Sequence, residues 1–191
     1  MLYFLLLFIP FLYFINLGLP QVWIPNESFY ADASRHMLES FDFLTPYYNG
    51  QLRLAKPPMT YWIVSLGYAI FGINELGLRF FHALLGLLVG LLTFLLSKEV
   101  LKDTKTSLFS MLILLTSFQF FANARYASPE VPFVFFITLS LYLWLLGYKR
   151  GNTLLIFLAF LSSSLAMLVK GPAGFFIPAS VVFLYLILNN P

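Results

Sequence analysis

The chain has 191 residues, of which 60% are hydrophobic and 10% charged, with a formal net charge of +3. Soluble domains carry about 25% charged residues, so this chain has too little polar surface to cover its apolar side chains and its main solvent is expected to be lipid. The bases are scattered singly, which excludes the basic face that nucleic-acid binding needs. The absence of cysteine excludes disulfides, thiol catalysis and cysteine metal sites. The expected class is an all-α polytopic membrane protein, because only helices satisfy their own backbone in a bilayer without closing a barrel.

Residues 1–19 are apolar throughout and span roughly 28 Å as a helix, close to the hydrocarbon thickness. They lack the basic leader and small-residue cleavage site of a removable signal, so they are expected to be a retained first span, kinked at Pro10. A long polar interval follows at 25–62, within an external loop placed at 20–76. It carries Glu27, Asp32, Glu39 and Asp42, half of the eight acidic residues, together with Arg35, Arg53 and Lys56. Pro25-Asn26 can open a helix with Glu27 in its favourable first turn. Phe29/Tyr30, Ala33 and Met37 recur at helical spacing, with Asp32, Arg35, His36 and Glu39 on the other side. That pattern suits an amphipathic helix lying in the membrane interface. Pro46, Asn49-Gly50 and Pro57-Pro58 break regular structure, Asn49-Gly50 as a tight turn. Residues 59–71 are apolar again, with Tyr61 and Trp62 at belt level.

Five further apolar segments, near 77–97, 107–123, 131–148, 153–169 and 173–188, bring the expected number of transmembrane helices to six, within one membrane domain over 77–191 and the first span. Lys98, Lys102, Lys105, Lys149 and Arg150 crowd two very short links on one side, which the positive-inside rule makes cytoplasmic. The 25–62 loop then faces the periplasm or exterior of the cytoplasmic (inner) membrane. The same parity brings Arg125, Glu130 and Lys170 to the loop's side.

Each of these residues has two readings. Glu27, beside Asn26, is a general base or ligand, or a solvated first-turn acid. Lys56, ahead of two prolines, is a point charge for a phosphate, or an interfacial lysine with a snorkelling stem; Arg53 and Lys170 share that ambiguity. Arg125 and Glu130 flank a helix break, where an acid at the membrane edge is costly unless wet or paired. Either they line a polar cavity, or Glu130 complements its helix N-terminus. His36 reads as a surface partner of Asp32 or Glu39, and His82 as a lone histidine on a spanning helix. No metal constellation, glycine-rich phosphate loop or Ser/His/Asp arrangement is visible, so no cofactor is expected and a divalent metal is left open.

The run NESFYADASRHMLESFDFLTPYYNGQLRLAKPPMTYW resembles the first external loop of bacterial polyprenyl-phosphate-sugar-dependent glycosyltransferases. These are membrane enzymes of the GT-C fold, relatives of the protein O-mannosyltransferases and of the lipid A aminoarabinose transferase. FGINELGLRFFHALLG, an Arg-Tyr-Ala…acid segment and KGP follow in the same order, between residues 25 and 172. The resemblance implies a sugar delivered on a polyprenyl phosphate to an envelope lipid, glycan or protein. It places Asn26 and Glu27 at an acidic pair, Lys56 at the lipid phosphate, Glu130 at a second acid and Lys170 at the KGP position. Two positions depart from the pattern: Asn26 stands where an aspartate is usual, and Ala55 where glutamate is frequent. Family members run longer, so the chain reads as the N-terminal part of such an enzyme, with the C-terminal part of the family fold absent. A non-catalytic protein that binds lipid phosphate is the alternative. A transporter fits less well, since the polar residues sit at helix ends and no internal repeat is visible.

Overall fold

In the computed structural model, residues 2–189 are described, with side chains from residue 8 onward. Nine helices and one small hairpin make up this part of the chain. They are α1 (Leu2–Phe14), α2 (Asn26–Ser40), β1 (Tyr47–Tyr48), β2 (Gln51–Leu52), α3 (Met59–Phe71), α4 (Glu75–Leu101), α5 (Thr104–Thr116), α6 (Phe118–Ala124), α7 (Glu130–Arg150), α8 (Thr153–Lys170) and α9 (Ala173–Asn189).

The chain is a helical membrane protein. By length and composition α4, α7 and α8 can each cross a bilayer, and α5 with α6 makes a fourth crossing if the bent pair counts as one. The six expected spans are therefore not all present as single long helices. The expected helix over 107–123 is instead two, bent by 66° at Ser117, whose extended φ of −65° and ψ of 129° ends one ladder and starts the next. The first helix stops at Phe14 rather than reaching residue 19. Asn16 takes a left-handed φ of 54°, a conformation that breaks helix propagation and that Asn tolerates. The α9 helix has 17 residues and Pro178 within it.

Side-chain caps open α4, α5 and α8. The Asn74 side chain accepts from the Gly77 N–H at 2.9 Å and opens α4, and Asp103 opens α5 by accepting from Thr106 N–H at 2.8 Å. Asn152 opens α8 by accepting from Leu154 N–H at 3.0 Å. The Asn49-Gly50 turn is present, with φ of 49° and 72°, and it joins β1 to β2 with Tyr47 opposite Leu52.

One difference from the sequence reading concerns α2. Its apolar residues Tyr30, Ala33 and Met37 are buried, as the spacing predicts, but they pack on Tyr61, Val64 and Tyr68 of α3 and Leu78 of α4. The apolar face of this helix is thus covered by protein instead of lipid. Ser34 Oγ donates to the Tyr61 carbonyl at 3.0 Å and fastens α2 to α3. A second core joins Ile9 and Tyr13 of α1 to Leu112, Leu115, Ala124 and Val131. The starts of α2, α4 and α7 thereby gather at one end of the bundle.

Candidate active site at the loop end of the bundle

Two polar clusters occupy that end. The first is built on Glu27, which is fully buried. Its backbone N–H donates to the Trp23 carbonyl at 2.9 Å, and its Oε2 accepts from the Trp23 N–H at 3.0 Å, closing the turn that enters α2. Arg79, one turn into α4, reaches the same carboxylate twice, Nε to Oε1 at 2.8 Å and Nη2 to Oε2 at 2.6 Å. The remaining guanidinium hydrogens go to backbone carbonyls. Nη1 donates to Leu17 at 3.1 Å and Pro20 at 2.7 Å, and Nη2 to Gln21 at 3.0 Å. The Ala127 N–H completes the set on Oε1 at 2.8 Å.

All five donors of the arginine and all four acceptor positions of the carboxylate are thus engaged. A buried ion pair is tolerable in this form, because every group taken out of water has a replacement partner. Burial alone would raise the Glu27 carboxyl. The Arg79 guanidinium and the Trp23 and Ala127 amides outweigh it and hold the group below the usual carboxylate range. No lone pair remains for an incoming hydroxyl.

Arg125 also works on backbone. Its Nη2 donates to the Ile15 carbonyl at 2.7 Å, its Nη1 donates to the Leu12 carbonyl, and its guanidinium lies 5.3 Å from the Phe121 ring centre. It fastens the end of α1. Between this residue and the Glu27–Arg79 pair lies a cavity of about 430 Å³, walled by Trp23 and Tyr126, whose rings are 5.7 Å apart.

The second cluster contains Glu130, Lys170 and Arg53. Lys170 Nζ donates to Glu130 Oε1 at 2.9 Å. The pair is open to solvent, with side-chain exposures of 28% and 42% for lysine and glutamate, and Lys170 lies 5.4 Å from the Phe133 ring centre. Arg53 stacks its guanidinium carbon 3.6 Å above the Phe29 ring, while its backbone N–H donates to the Pro46 carbonyl at 2.9 Å. Tyr30 lies within the fields of both Glu130 and Arg53. Burial pushes its phenol up, Tyr61, Glu130 and Tyr126 add to that, and Arg53 opposes it. Arg53 lies close to the Tyr61 hydroxyl and Ser128 close to the Glu130 carboxylate, while Thr60 Oγ1 is buried without a hydrogen-bond partner among the described residues.

The structure therefore divides the residues singled out from the sequence. Glu130 and Lys170 form one direct pair, Arg53 stacks on Phe29, Glu27 belongs to the Arg79 cluster and Arg125 to α1. Asn26 and Lys56 are exposed. Lys56 sits beside Pro46, Pro57 and Pro58 in a groove of about 330 Å³, and neither side chain has a bonded partner among the described residues. His36 does not pair with Asp32 or Glu39. Asp32 is taken by Arg35 at 2.7 Å and by the Asn49 N–H at 2.8 Å, and the His36 ring meets Tyr47 at a tilt, 4.8 Å between ring centres. His82 is fully buried. Among the described residues no three His, Asp or Glu side chains converge for a metal ion. Sequence reasoning passed over Arg79. Its signal was present, since a lone arginine inside an apolar helix needs a buried anionic partner.

Fold and site together define a polytopic helical membrane protein with its polar machinery gathered at one end of the bundle. The chain belongs to the dolichyl-phosphate-mannose-protein mannosyltransferase family, whose model matches residues 1–191. An uncharacterized protein of Aquifex aeolicus (strain VF5) is 64% identical over 190 residues, 98% of this chain and 38% of that one. The undecaprenyl phosphate-alpha-4-amino-4-deoxy-L-arabinose arabinosyl transferase of Pseudomonas aeruginosa (strain UCBPP-PA14) is 33% identical over 180 residues, 92% of this chain and 33% of that enzyme. The crystal structure of ArnT from Cupriavidus metallidurans bound to undecaprenyl phosphate superposes with a TM-score of 0.86 at 25% identity, covering 97% of this chain and 35% of ArnT. The apo state of the same protein gives the same TM-score at 24% identity, over 99% of this chain and 36% of ArnT, and speaks for the fold. The chain thus spans between a third and two fifths of the length of these relatives.

Proposed function

We propose that the chain is the N-terminal part of a membrane glycosyltransferase that moves a sugar from a polyprenyl-phosphate carrier to an envelope lipid, glycan or protein. The reaction is placed at the outer face of the cytoplasmic membrane. The observation that carries this reading is the likeness, over 97% of the chain, to a structure bound to undecaprenyl phosphate, in a chain whose free cation Lys56 and open Glu130–Lys170 pair sit at the loop end. Lys56 and Arg53 bind the carrier phosphate, and Lys170 turns toward it from Glu130. Glu130 then accepts the proton of the acceptor hydroxyl. The oxygen bonds to the sugar's anomeric carbon as the bond from that carbon to phosphate breaks, and the cations stabilise the charge developing on the departing lipid phosphate. Glu27 takes a positioning role, with its oxygens fully engaged, and Arg125 holds α1 beside it. Asn26 binds through its amide, which accepts no proton at neutral pH.

The test is transfer by the full-length gene product in membranes, with a polyprenyl-phosphate-linked sugar. Glu130→Gln is expected to lower turnover by about a hundredfold or more, the usual worth of a general base. Unchanged turnover rejects the assignment. A second reading, carrier binding without turnover, is favoured by Asn26 and Ala55 at positions where acids are usual. It predicts Lys56-dependent binding of polyprenyl phosphate with no transfer, even in Asn26→Asp.

A further inference from the structure

The opposite end of the bundle carries the chain's net charge. α4 and α7 run side by side in the same direction, joined at their starts through Glu27, Arg79 and Ala127 and at their ends through Lys149 and Glu99. The ends of α4 and α7 and the links to α5 and α8 hold Lys98, Lys102, Lys105, Lys149 and Arg150 against Glu99 and Asp103. The other six bases are matched by six acids, so the whole formal excess of +3 lies here.

The two acids do not neutralise it evenly. Asp103 is occupied as the cap of α5, accepting from Thr106 N–H at 2.8 Å and Thr106 Oγ1 at 2.5 Å. Glu99 alone faces three cations, Lys102 at 3.3 Å, Lys149 at 3.8 Å and Arg150 at 4.0 Å. Lys149 Nζ also donates to the Glu99 carbonyl at 2.6 Å, which binds the two helix ends into one patch. An aromatic shelf lies further into α7, on the face toward α9. Trp144 and Tyr148 are stacked at 5.2 Å, and Tyr185 of α9 meets them edge-on at 5.5 and 6.1 Å. Amphipathic rings of this kind mark the headgroup level of a bilayer, so the cations stand where lipid phosphates lie.

We propose that this patch is a headgroup site for an anionic phospholipid of the leaflet opposite the external loop. The phosphodiester seats among Lys102, Lys149 and Arg150, and the acyl chains descend along Trp144 and Tyr148. The site is separate from the carrier-phosphate site and does not depend on the glycosyltransferase reading. Glu99 competes with the lipid for the same cations, which gives the proposal opposite signs on two substitutions.

The test is native mass spectrometry of the membrane-embedded full-length protein, released from nanodiscs of equal phosphatidylglycerol and phosphatidylcholine. The expected result is selective retention of phosphatidylglycerol. Retention falls about fivefold for each of Lys149→Gln and Arg150→Gln, the worth of one cation at an anionic surface, and rises in Glu99→Gln. Arg35→Gln, at the other end, leaves it unchanged. Soluble glycerophosphate at millimolar concentration is expected not to displace the lipid. Equal retention of the two lipids, loss of retention in Glu99→Gln, or displacement by glycerophosphate overturns the proposal, the last by showing a site for free phosphate.

Discussion

Arg79 on α4 and Glu27 at the start of α2, 52 residues apart, form a bidentate buried ion pair at 2.8 and 2.6 Å. Three carbonyls and two amides from three chain segments complete it. The pair closes the loop after α1, the entry to α2 and the turn before α7 around one guanidinium. Breaking a buried pair from one side leaves an uncompensated charge, which costs about 3–5 kcal/mol. Arg79→Gln and Glu27→Gln are each expected to lower thermal stability by that order, read as unfolding of detergent-solubilised protein. The exchange Glu27→Arg with Arg79→Glu is expected not to restore it, since a carboxylate at 79 would face the carbonyls of Leu17, Pro20 and Gln21. Full rescue by the exchange would show that only the pair's mutual attraction matters.

The same carboxylate sets a pH dependence. Its folded-state pKa is depressed, so its contribution is complete above the ordinary glutamate value, about 4.3. It is lost as the pH falls through the lower folded value. Wild-type stability is therefore expected to decline on acidification below about pH 4.3, and Glu27→Gln to show a flatter profile over the same range. Thermal unfolding measured across pH 3–6 checks this, and parallel profiles for the two proteins would contradict it.

Much of this end of the molecule was legible from residues alone. The polar interval, the Asn49-Gly50 turn and the helical spacing of Tyr30, Ala33 and Met37 are local signals, and local chemistry decides them. The failures are non-local. Arg79 and Glu27 are far apart in sequence, so no window contains both. The bend at Ser117 lies inside a uniformly apolar run, where hydropathy carries no boundary. Burial of α2 under α3 could not be told from burial in lipid, because both present the same apolar stripe. Among the candidate residues, no sequence feature separates Glu27, whose carboxylate is fully engaged, from Glu130, which is half-exposed.

Lys56 gives a prediction that distinguishes binding from folding. It is exposed and bonded to nothing among the described residues, so Lys56→Ala is expected to leave the melting temperature unchanged. If it holds the carrier phosphate as proposed, the same change weakens carrier binding by about tenfold or more, a charged hydrogen bond being worth about 1.5 kcal/mol. Binding of polyprenyl phosphate followed alongside thermal unfolding separates the two effects. A stability loss without a binding loss would move Lys56 out of the site.

The α3–α4 contact predicts a stability defect with no charge involved. A Cβ built on Gly67 would fall on the carbonyl oxygen of Gly77, and one on Gly77 would lie 2.5 Å from the Gly72 oxygen. These are backbone atoms, which cannot swing aside as a side-chain tip can. Relief requires α3 and α4 to separate, and α3 carries Tyr61 and the packing beneath α2. Gly67→Ala is therefore expected to cost about 1–3 kcal/mol, the usual price of overpacking. At about 2–4 °C per kcal/mol for a chain of this size, the melting temperature falls measurably. Leu66→Ala, at a neighbouring position that is 51% exposed, is expected to stay within about 0.5 kcal/mol. Equal effects at the two positions would mean that the close helix approach at Gly67 does not govern how α3 and α4 pack.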